Sequence, residues 1–108
     1  MSTTIVLMGV SGVGKSSVGA ALHRSLGWPF ADGDDFHPAS NVAKMRSGIP
    51  LDDNDRVPWL AAIATWIGTH ESAREDCIVA CSALKAAYRE ALREGHPSVW
   101  FAHLTAPR

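Results

Sequence analysis

The chain has 108 residues, a length that limits it to one domain, taken here as residues 1–108. Hydrophobic residues make up 46% and charged residues 19%, as in ordinary globular proteins. The net charge of −1 gives no sign of a surface for nucleic acid or membranes, and no stretch is long enough to span a bilayer. The apolar N-terminus lacks the basic start of a signal peptide. We therefore expect a cytoplasmic protein with small-molecule partners, not nucleic acid or a membrane, and leave a homodimer open.

The most informative stretch is residues 9–16, which fit the phosphate-binding pattern G-x-x-x-x-G-K-[ST]. An apolar run over 4–8 predicts a strand before it, and the pattern over 16–26 predicts a helix after it. Glycines let consecutive N–H groups point at phosphate oxygens, and the helix adds its positive N-terminal end. Lys15 could reach the β- and γ-phosphates, and the Ser16 hydroxyl could ligate Mg²⁺. The alternative is a glycine-rich turn with a surface lysine. We predict that the nucleotide-binding residues are Gly9, Val10, Ser11, Gly12, Val13, Gly14, Lys15 and Ser16.

Further elements alternate between strand and helix. Apolar runs predict strands over 28–31, 77–81 and 98–104, and helical spacing predicts a short helix over 38–48. A longer helix should begin near the acids at 52–55, with Pro58 in its first turn, and another should run from Ser82 to Gly95. Two apolar faces are expected to be buried: Val18, Ala21, Leu22, Ser25 and Leu26 on the first helix, and Trp59, Ala62, Ile63, Trp66 and Ile67 on the long one.

Cys77 and Cys81 flank the third predicted strand. In an extended chain they would lie roughly 13 Å apart, which is too far for a disulfide. We therefore expect two buried free thiols rather than a disulfide, and no second Cys or His cluster supports a metal pair.

Strands that alternate with helices imply an α/β fold with a parallel sheet and right-handed crossovers. In such sheets ligands bind at the carboxyl ends of the strands. The phosphate-binding loop and the segments 32–37 and 81–85 all follow a predicted strand. One cleft is therefore expected to collect all three segments.

The segment after the second strand offers groups for phosphoryl transfer. Asp32 and Asp34 are separated by a glycine that would permit a sharp turn. One carboxylate could hold Mg²⁺ and its water, and the other could orient or deprotonate an acceptor hydroxyl. Helix-capping or turn aspartates are the alternative. His37 could donate to a substrate oxygen or be a structural loop histidine, and Lys44, Arg46 and Arg56 could bind a substrate carboxylate or be solvated surface charges.

Four stretches, taken in order, make the sequence resemble the gluconokinase family. They are residues 8–16; Asp32-Gly33-Asp34 with His37-Pro38 and Asn41; Lys44-Met45, Gly48, Pro50-Leu51, Asp53, Asp55-Arg56 and Pro58-Trp59-Leu60; and 81–85 with Tyr88-Arg89. Together they cover nearly the whole chain. The stretch from His-Pro to Pro-Trp-Leu is much more specific to the family than the phosphate-binding loop.

This resemblance implies a P-loop kinase built like nucleoside-monophosphate and shikimate kinases. It implies ATP-dependent phosphorylation of D-gluconate to 6-phosphogluconate, with ATP and Mg²⁺ as cofactors. The implied catalytic residues are Lys15, Asp32 and Asp34; the substrate-binding residues are Asp34, His37, Arg56 and Lys85; and the metal-binding residues are Ser16 and Asp32.

The sequence departs from the common P-loop pattern at the end of the third strand. Ala80-Cys81-Ser82 offers no Asp for Mg²⁺, which agrees with the gluconokinase pattern and places more weight on Asp32 and Asp34. Family members continue past the fourth strand into a lid, a last strand and a terminal helix, which we expect this chain to lack. The alternatives are a non-catalytic nucleotide-binding remnant or partner subunit, and a related small-metabolite kinase such as a shikimate kinase.

Overall fold

The computed structural model of the chain describes residues 2–9, 14–81, 86–96 and 98–103, without the side chains of Ser16, Ala86 and His103. The strands are β1 (Thr4–Met8), β2 (Phe30–Asp32), β3 (Cys77–Ala80) and β4 (Val99–His103). The helices are α1 (Lys15–Leu26), α2 (Ala39–Arg46), α3 (Asp53–Ser72) and α4 (Ala86–Arg93), and a 3₁₀ turn spans Gly33–Phe36. The predicted alternation of strands and helices is confirmed.

The four strands form one parallel sheet in the order β2-β3-β1-β4. The register pairs Asp32 with Ala80 and Ala80 with Leu7, so the ends of three strands lie side by side. With about 4.8 Å between neighbouring strands, the end of β2 lies roughly 10 Å from the end of β1. The segment that carries Asp32 and Asp34 therefore stands close to the start of the phosphate-binding loop.

Helices cover both faces of the sheet. The connection through α1 runs from β1 to β2, whereas the connections through α3 and α4 run in the opposite direction across the sheet. Because such crossovers are right-handed, α1 lies on one face and α3 and α4 on the other. The main core fills the space under α3 and α4 and consists of Val6, Met8, Trp59, Leu60, Ile63, Ile67, Val79, Cys81, Tyr88, Leu92 and Val99.

Acidic residues begin α3 as the sequence predicts. Asp52 is the N-cap, and its side chain accepts a hydrogen bond from the Asp55 N–H at 2.8 Å. The Asp55 side chain accepts in return from the Asp52 N–H at 3.1 Å, which completes a capping box. Pro58 lies in the second turn of α3 rather than in the first, because the helix already begins at Asp53.

The predicted buried stripe of α1 is wrong. Val18 is 36% and Leu26 48% exposed, whereas the buried position of this helix is Gly19. A Cβ at Gly19 would lie only 2.2 Å from the Phe30 ring, so the absence of a side chain lets α1 approach β2. On α4, Tyr88 and Leu92 are buried, whereas Ala87 and Ala91 are exposed.

The expectation of two buried free thiols is confirmed. Cys77 and Cys81 are free thiols, both fully buried, and burial raises the pKa of Cys77. Within the described residues, no helix has both the length and the apolar character that crossing a membrane requires.

Candidate active site

In the part of the chain that the structure describes, no side chain caps the start of α1. Gly14 is the N-cap and adopts a left-handed conformation with φ of 95°. Its lack of a side chain means that no side chain caps the helix there, and no acid lies in the first turn. The positive end of a helix without an acidic cap favours a phosphate group. Lys15 donates from Nζ to the Gly9 carbonyl at 2.6 Å, which keeps its ammonium group at the loop.

Part of the predicted nucleotide site lies outside the described residues. This applies to Val10, Ser11, Gly12 and Val13, and to the side chain of Ser16, although Ser16 itself lies in the first turn of α1. Lys85, predicted to bind substrate, also lies outside the described residues. Their predicted roles stay predictions.

The turn after β2 brings two acids to the carboxyl edge of the sheet. Asp32 is the N-cap of the 3₁₀ turn, and its Oδ1 accepts from the Asp34 N–H at 3.0 Å. Gly33 is buried, and a Cβ there would lie 2.4 Å from the Ala80 carbonyl oxygen. The glycine is thus required by close approach to β3. Asp32 caps the turn, which is the structural role that the sequence offered as the alternative to metal binding. Asp34 is exposed.

A cavity of about 620 Å³ adjoins this turn and contains three of the predicted substrate-binding residues. Its volume lies within the usual range of small-molecule sites. Its lining joins the 3₁₀ turn, the end of α2, the connection to α3, and both α3 and α4. The lining residues are Asp34, His37, Met45, Gly48, Ile49, Pro50, Leu51, Arg56, Trp59 and Tyr88.

Trp59 forms an aromatic wall of the cavity and fixes its neighbours. Its indole N–H donates to the Gly33 carbonyl at 2.7 Å, and its side chain is buried. The His37 imidazole stacks on the indole with ring centroids 4.6 Å apart and planes 10° apart. The expectation that Trp59 belongs to the core is confirmed, and the same side chain also shapes the cavity.

His37 has a buried polar neighbour behind it. Its Nδ1 lies 3.2 Å from Nδ2 of Asn41, and the same Nδ2 donates to the Asp55 carbonyl at 2.8 Å. Burial lowers the pKa of His37, Asp34 acts against this shift, and Arg56 adds to it. The ring is therefore held neutral near pH 7.

Arg56 reaches the cavity with a defined orientation. Its Nη1 donates to the Tyr88 hydroxyl at 3.0 Å, and its guanidinium carbon lies 5.6 Å from the centre of the Tyr88 ring. The Tyr88 hydroxyl in turn donates to Oδ1 of Asp53. Sequence reasoning named Tyr88 within the family motif. It missed the contact with Arg56 because the two residues lie on different helices, 32 positions apart.

The other two candidate cations are placed differently. Lys44 binds both carboxylate oxygens of Asp55 at 2.9 and 2.8 Å, and this contact joins α2 to α3. Its hydrogen bond lowers the pKa of Asp55 and raises that of Lys44. Arg46 is exposed at the end of α2. Of the three candidates, Arg56 is the one that lines the cavity.

No metal-binding cluster is apparent in the part of the chain that the structure describes. No group of three or more His, Cys, Asp or Glu side chains within that part is placed to hold a metal ion. The predicted metal-binding role of Ser16 and Asp32 is therefore a prediction that the geometry leaves untested.

A parallel sheet with helices on both faces, a glycine-rich segment before α1 and a cavity at the carboxyl edge are typical of the P-loop kinase fold. A family model described as shikimate kinase matches residues 11–105. The chain belongs to this family.

Curated relatives of the chain include gluconokinases, as the resemblance predicted. The gluconokinase of Gluconobacter oxydans is 46% identical over 100 residues, which are 93% of this chain and 56% of that protein. Among solved structures, a sugar kinase from Janibacter superposes with a TM-score of 0.90 at 46% identity, over 99% of this chain and 62% of that one. A gluconokinase from Sinorhizobium meliloti gives 0.84 at 50% identity, over 97% and 58%. The chain spans roughly half to three-fifths of the length of these relatives.

Proposed function

We propose that this chain carries the acceptor site of a kinase that transfers the γ-phosphoryl group of ATP to D-gluconate, which yields 6-phosphogluconate. The observation that carries the proposal is the cavity that holds Asp34, His37 and Arg56 together. It offers a carboxylate, an imidazole and a guanidinium group to a polyhydroxylated anion. The identity to several gluconokinases supports this choice of acceptor over the shikimate-like alternative.

The charges of the cavity match the two kinds of group in a sugar acid. The Arg56 guanidinium can pair with the carboxylate of gluconate through two hydrogen bonds, and its contact with Tyr88 orients it for this. Asp34 can accept a hydrogen bond from a hydroxyl of the sugar. The stacked ring of His37 adds a further polar group against an otherwise apolar wall.

In the proposed transfer, the terminal hydroxyl of gluconate attacks the γ-phosphorus while ADP leaves. Asp34 lies on the exposed side of the turn and is the candidate to accept the hydroxyl proton. Residues 9–16 would hold the phosphates, and Lys15 would offset the negative charge that builds up on them. Ser16 and Asp32 would hold Mg²⁺, which supplies charge neutralisation at the phosphates.

Lys85 follows the end of β3 and is proposed as an additional contact for the acceptor. Three further statements stay predictions from the sequence: a cytoplasmic location, the absence of a nucleic-acid partner, and the homodimer that the sequence leaves open.

The experiment is ADP release from Mg·ATP with D-gluconate, shikimate or no acceptor. We expect release that depends on gluconate, and a loss of roughly 10²–10⁴-fold in Asp34→Asn if it is the general base. Asp35→Asn is the matched control because Asp35 is the exposed neighbour in the same turn and is not among the residues that line the cavity. Faster release with shikimate, or equal rates in the Asp34→Asn and unaltered chains, would contradict the proposal.

A further inference from the structure

We propose that Asn41 is a positioning residue that holds His37 as the neutral tautomer with its proton on Nε2. His37 then donates a hydrogen bond to an oxygen of the acceptor and does not act as the base. This inference rests on the proposed function for the identity of the acceptor, but the tautomer itself can be measured without any acceptor.

The first step is the orientation of the Asn41 amide. Asn41 is 1% exposed, and its Nδ2 lies 2.8 Å from the backbone carbonyl oxygen of Asp55. A carbonyl oxygen can only accept a hydrogen bond. The amide atom that faces it must therefore be the NH₂ group, because the reverse orientation would bring two buried oxygens together. A fixed backbone group thus decides which way this amide points.

The second step is the proton on His37. The Nδ2 atom that donates to Asp55 also lies 3.2 Å from Nδ1 of His37. An NH₂ group has two hydrogens and no acceptor capacity, so Nδ1 must be the acceptor and carries no proton. In the neutral ring the proton is then on Nε2. A doubly protonated ring would place two donors against each other at this contact.

The third step is the orientation of the ring. His37 stacks almost parallel on Trp59, and Trp59 is held in turn by its hydrogen bond to the Gly33 carbonyl. Nδ1 is directed at Asn41, so Nε2 lies on the other side of the ring. His37 itself is one of the residues that line the cavity. Nε2–H is therefore the polar group that the ring can present to a ligand.

The charged groups around the ring are consistent with this state. Burial lowers the pKa of His37, the nearby Arg56 guanidinium lowers it further, and Asp34 raises it. The result is a neutral ring near pH 7. The cavity then has hydrogen-bond donors in His37 and Arg56 and a carboxylate acceptor in Asp34. Of Asp34 and His37, Asp34 is left as the group able to take the hydroxyl proton.

The test is a long-range ¹H–¹⁵N correlation spectrum of the histidine rings in the 108-residue chain, without ligand, at pH 7.5. His37→Gln identifies the His37 signals by their loss. We expect an unprotonated Nδ1 and a protonated Nε2. A proton on Nδ1, or rapid exchange between both tautomers, would overturn the inference. This reading does not depend on whether gluconate is the acceptor.

A variant then tests the role of Asn41. Asn41→Asp replaces the donor by an acceptor, so the proton should move to Nδ1 and the pKa of His37 should rise. Affinity for gluconate should fall about tenfold, as expected for one hydrogen bond. Asn54→Asp is the matched control, because it makes the same change at the exposed first turn of α3. A tautomer unchanged by Asn41→Asp would contradict the assignment.

Failure of the proposed function has a different signature. In that case neither the unaltered chain nor Asn54→Asp binds gluconate, while the tautomer of His37 is still read directly. If Asn41→Asp does not fold, the spectrum of the unaltered chain decides the inference alone.

Discussion

The indole N–H of Trp59 donates to the carbonyl oxygen of Gly33 at 2.7 Å. This hydrogen bond joins the long helix α3 to the turn that carries Asp32 and Asp34. It also holds the aromatic wall on which His37 stacks. One side chain thus connects stability of the core with the geometry of the candidate acceptor site.

Trp59→Phe should remove this hydrogen bond and leave the buried Gly33 carbonyl without its indole donor. We expect a loss of about 1–3 kcal/mol in the free energy of unfolding, since a buried polar group left unpaired costs that much. Urea unfolding measures this loss. Trp100→Phe is the matched control: Trp100 is 69% exposed, so its change should stay within about 0.5 kcal/mol. Equal losses in both variants would contradict the importance of the contact.

Gly33→Ala should destabilise the chain through a backbone clash. The added Cβ would lie 2.4 Å from the Ala80 carbonyl oxygen, at the carboxyl ends of β2 and β3. These two strands are hydrogen-bonded to each other, so neither can move away freely. We expect a cost of about 1–3 kcal/mol or more. In Gly19→Ala the new Cβ meets the Phe30 side chain, which can shift at a lower cost than a strand carbonyl, and α1 gains helix propensity. The Tm of Gly33→Ala, measured by thermal unfolding, should therefore be well below that of Gly19→Ala. A lower Tm for Gly19→Ala would contradict this prediction.

Tyr88→Phe should weaken acceptor binding without removing any charge. The variant breaks the chain of hydrogen bonds from Arg56 through the Tyr88 hydroxyl to Asp53, so the guanidinium loses its fixed orientation. We expect KM for gluconate to rise about tenfold while KM for ATP changes little. Asp53→Asn weakens the same chain, so the double variant should be less impaired than the sum of the single effects. An equal rise in both KM values would point to general damage.

Lys44→Met should raise the pKa of Asp55 toward its ordinary value, because the hydrogen bond from Lys44 is the main cause of its lowering. Because the pKa of Asp55 is lower in the folded chain than in the unfolded chain, this carboxyl stabilises the fold at pH values above its unfolded pKa. That stabilisation is lost as the pH falls through the folded pKa. Lys44→Met should therefore reduce the loss of stability in acid. NMR titration of the side-chain carboxyls measures the pKa, and Arg46→Met on the same helix should leave it unchanged.

Local signals in the sequence predicted the elements well. The apolar runs at β1 and β3, the glycine pattern before α1 and the acids at the start of α3 each describe structure formed by neighbours in the chain. The second strand spans Phe30–Asp32, whereas the sequence predicted it over 28–31. Pro29 contributes only its carbonyl, which accepts from the Ile78 N–H at 2.9 Å, and has no N–H to donate.

Contacts between distant segments were less predictable. The stripe on α1 was misassigned because periodicity shows that a face is apolar, not that it meets the sheet. In the fold, Gly19 rather than Val18 approaches β2. Residue chemistry proposed Asp34, His37 and three cations, the resemblance selected Arg56 among those cations, and the cavity brings Asp34, His37 and Arg56 together. Asn41 lies only four residues from His37, but its second contact, with the Asp55 carbonyl, comes from a different helix. The contact of Tyr88 with Arg56 joins two helices 32 positions apart, which spacing does not indicate.

The most direct test of the central claim is a ³¹P NMR spectrum of the chain with Mg·ATP and D-gluconate. The Lys15→Ala chain is the blank, because Lys15 is the lysine of the predicted phosphate-binding loop and its Nζ donates to the Gly9 carbonyl. We predict a new ³¹P signal from a phosphomonoester at the terminal carbon of gluconate. This signal should grow at the same rate as ADP forms, and it should be absent from the blank. ATP that stays intact, or ADP that forms with inorganic phosphate alone in a chain shown to be folded, would contradict the proposed kinase activity.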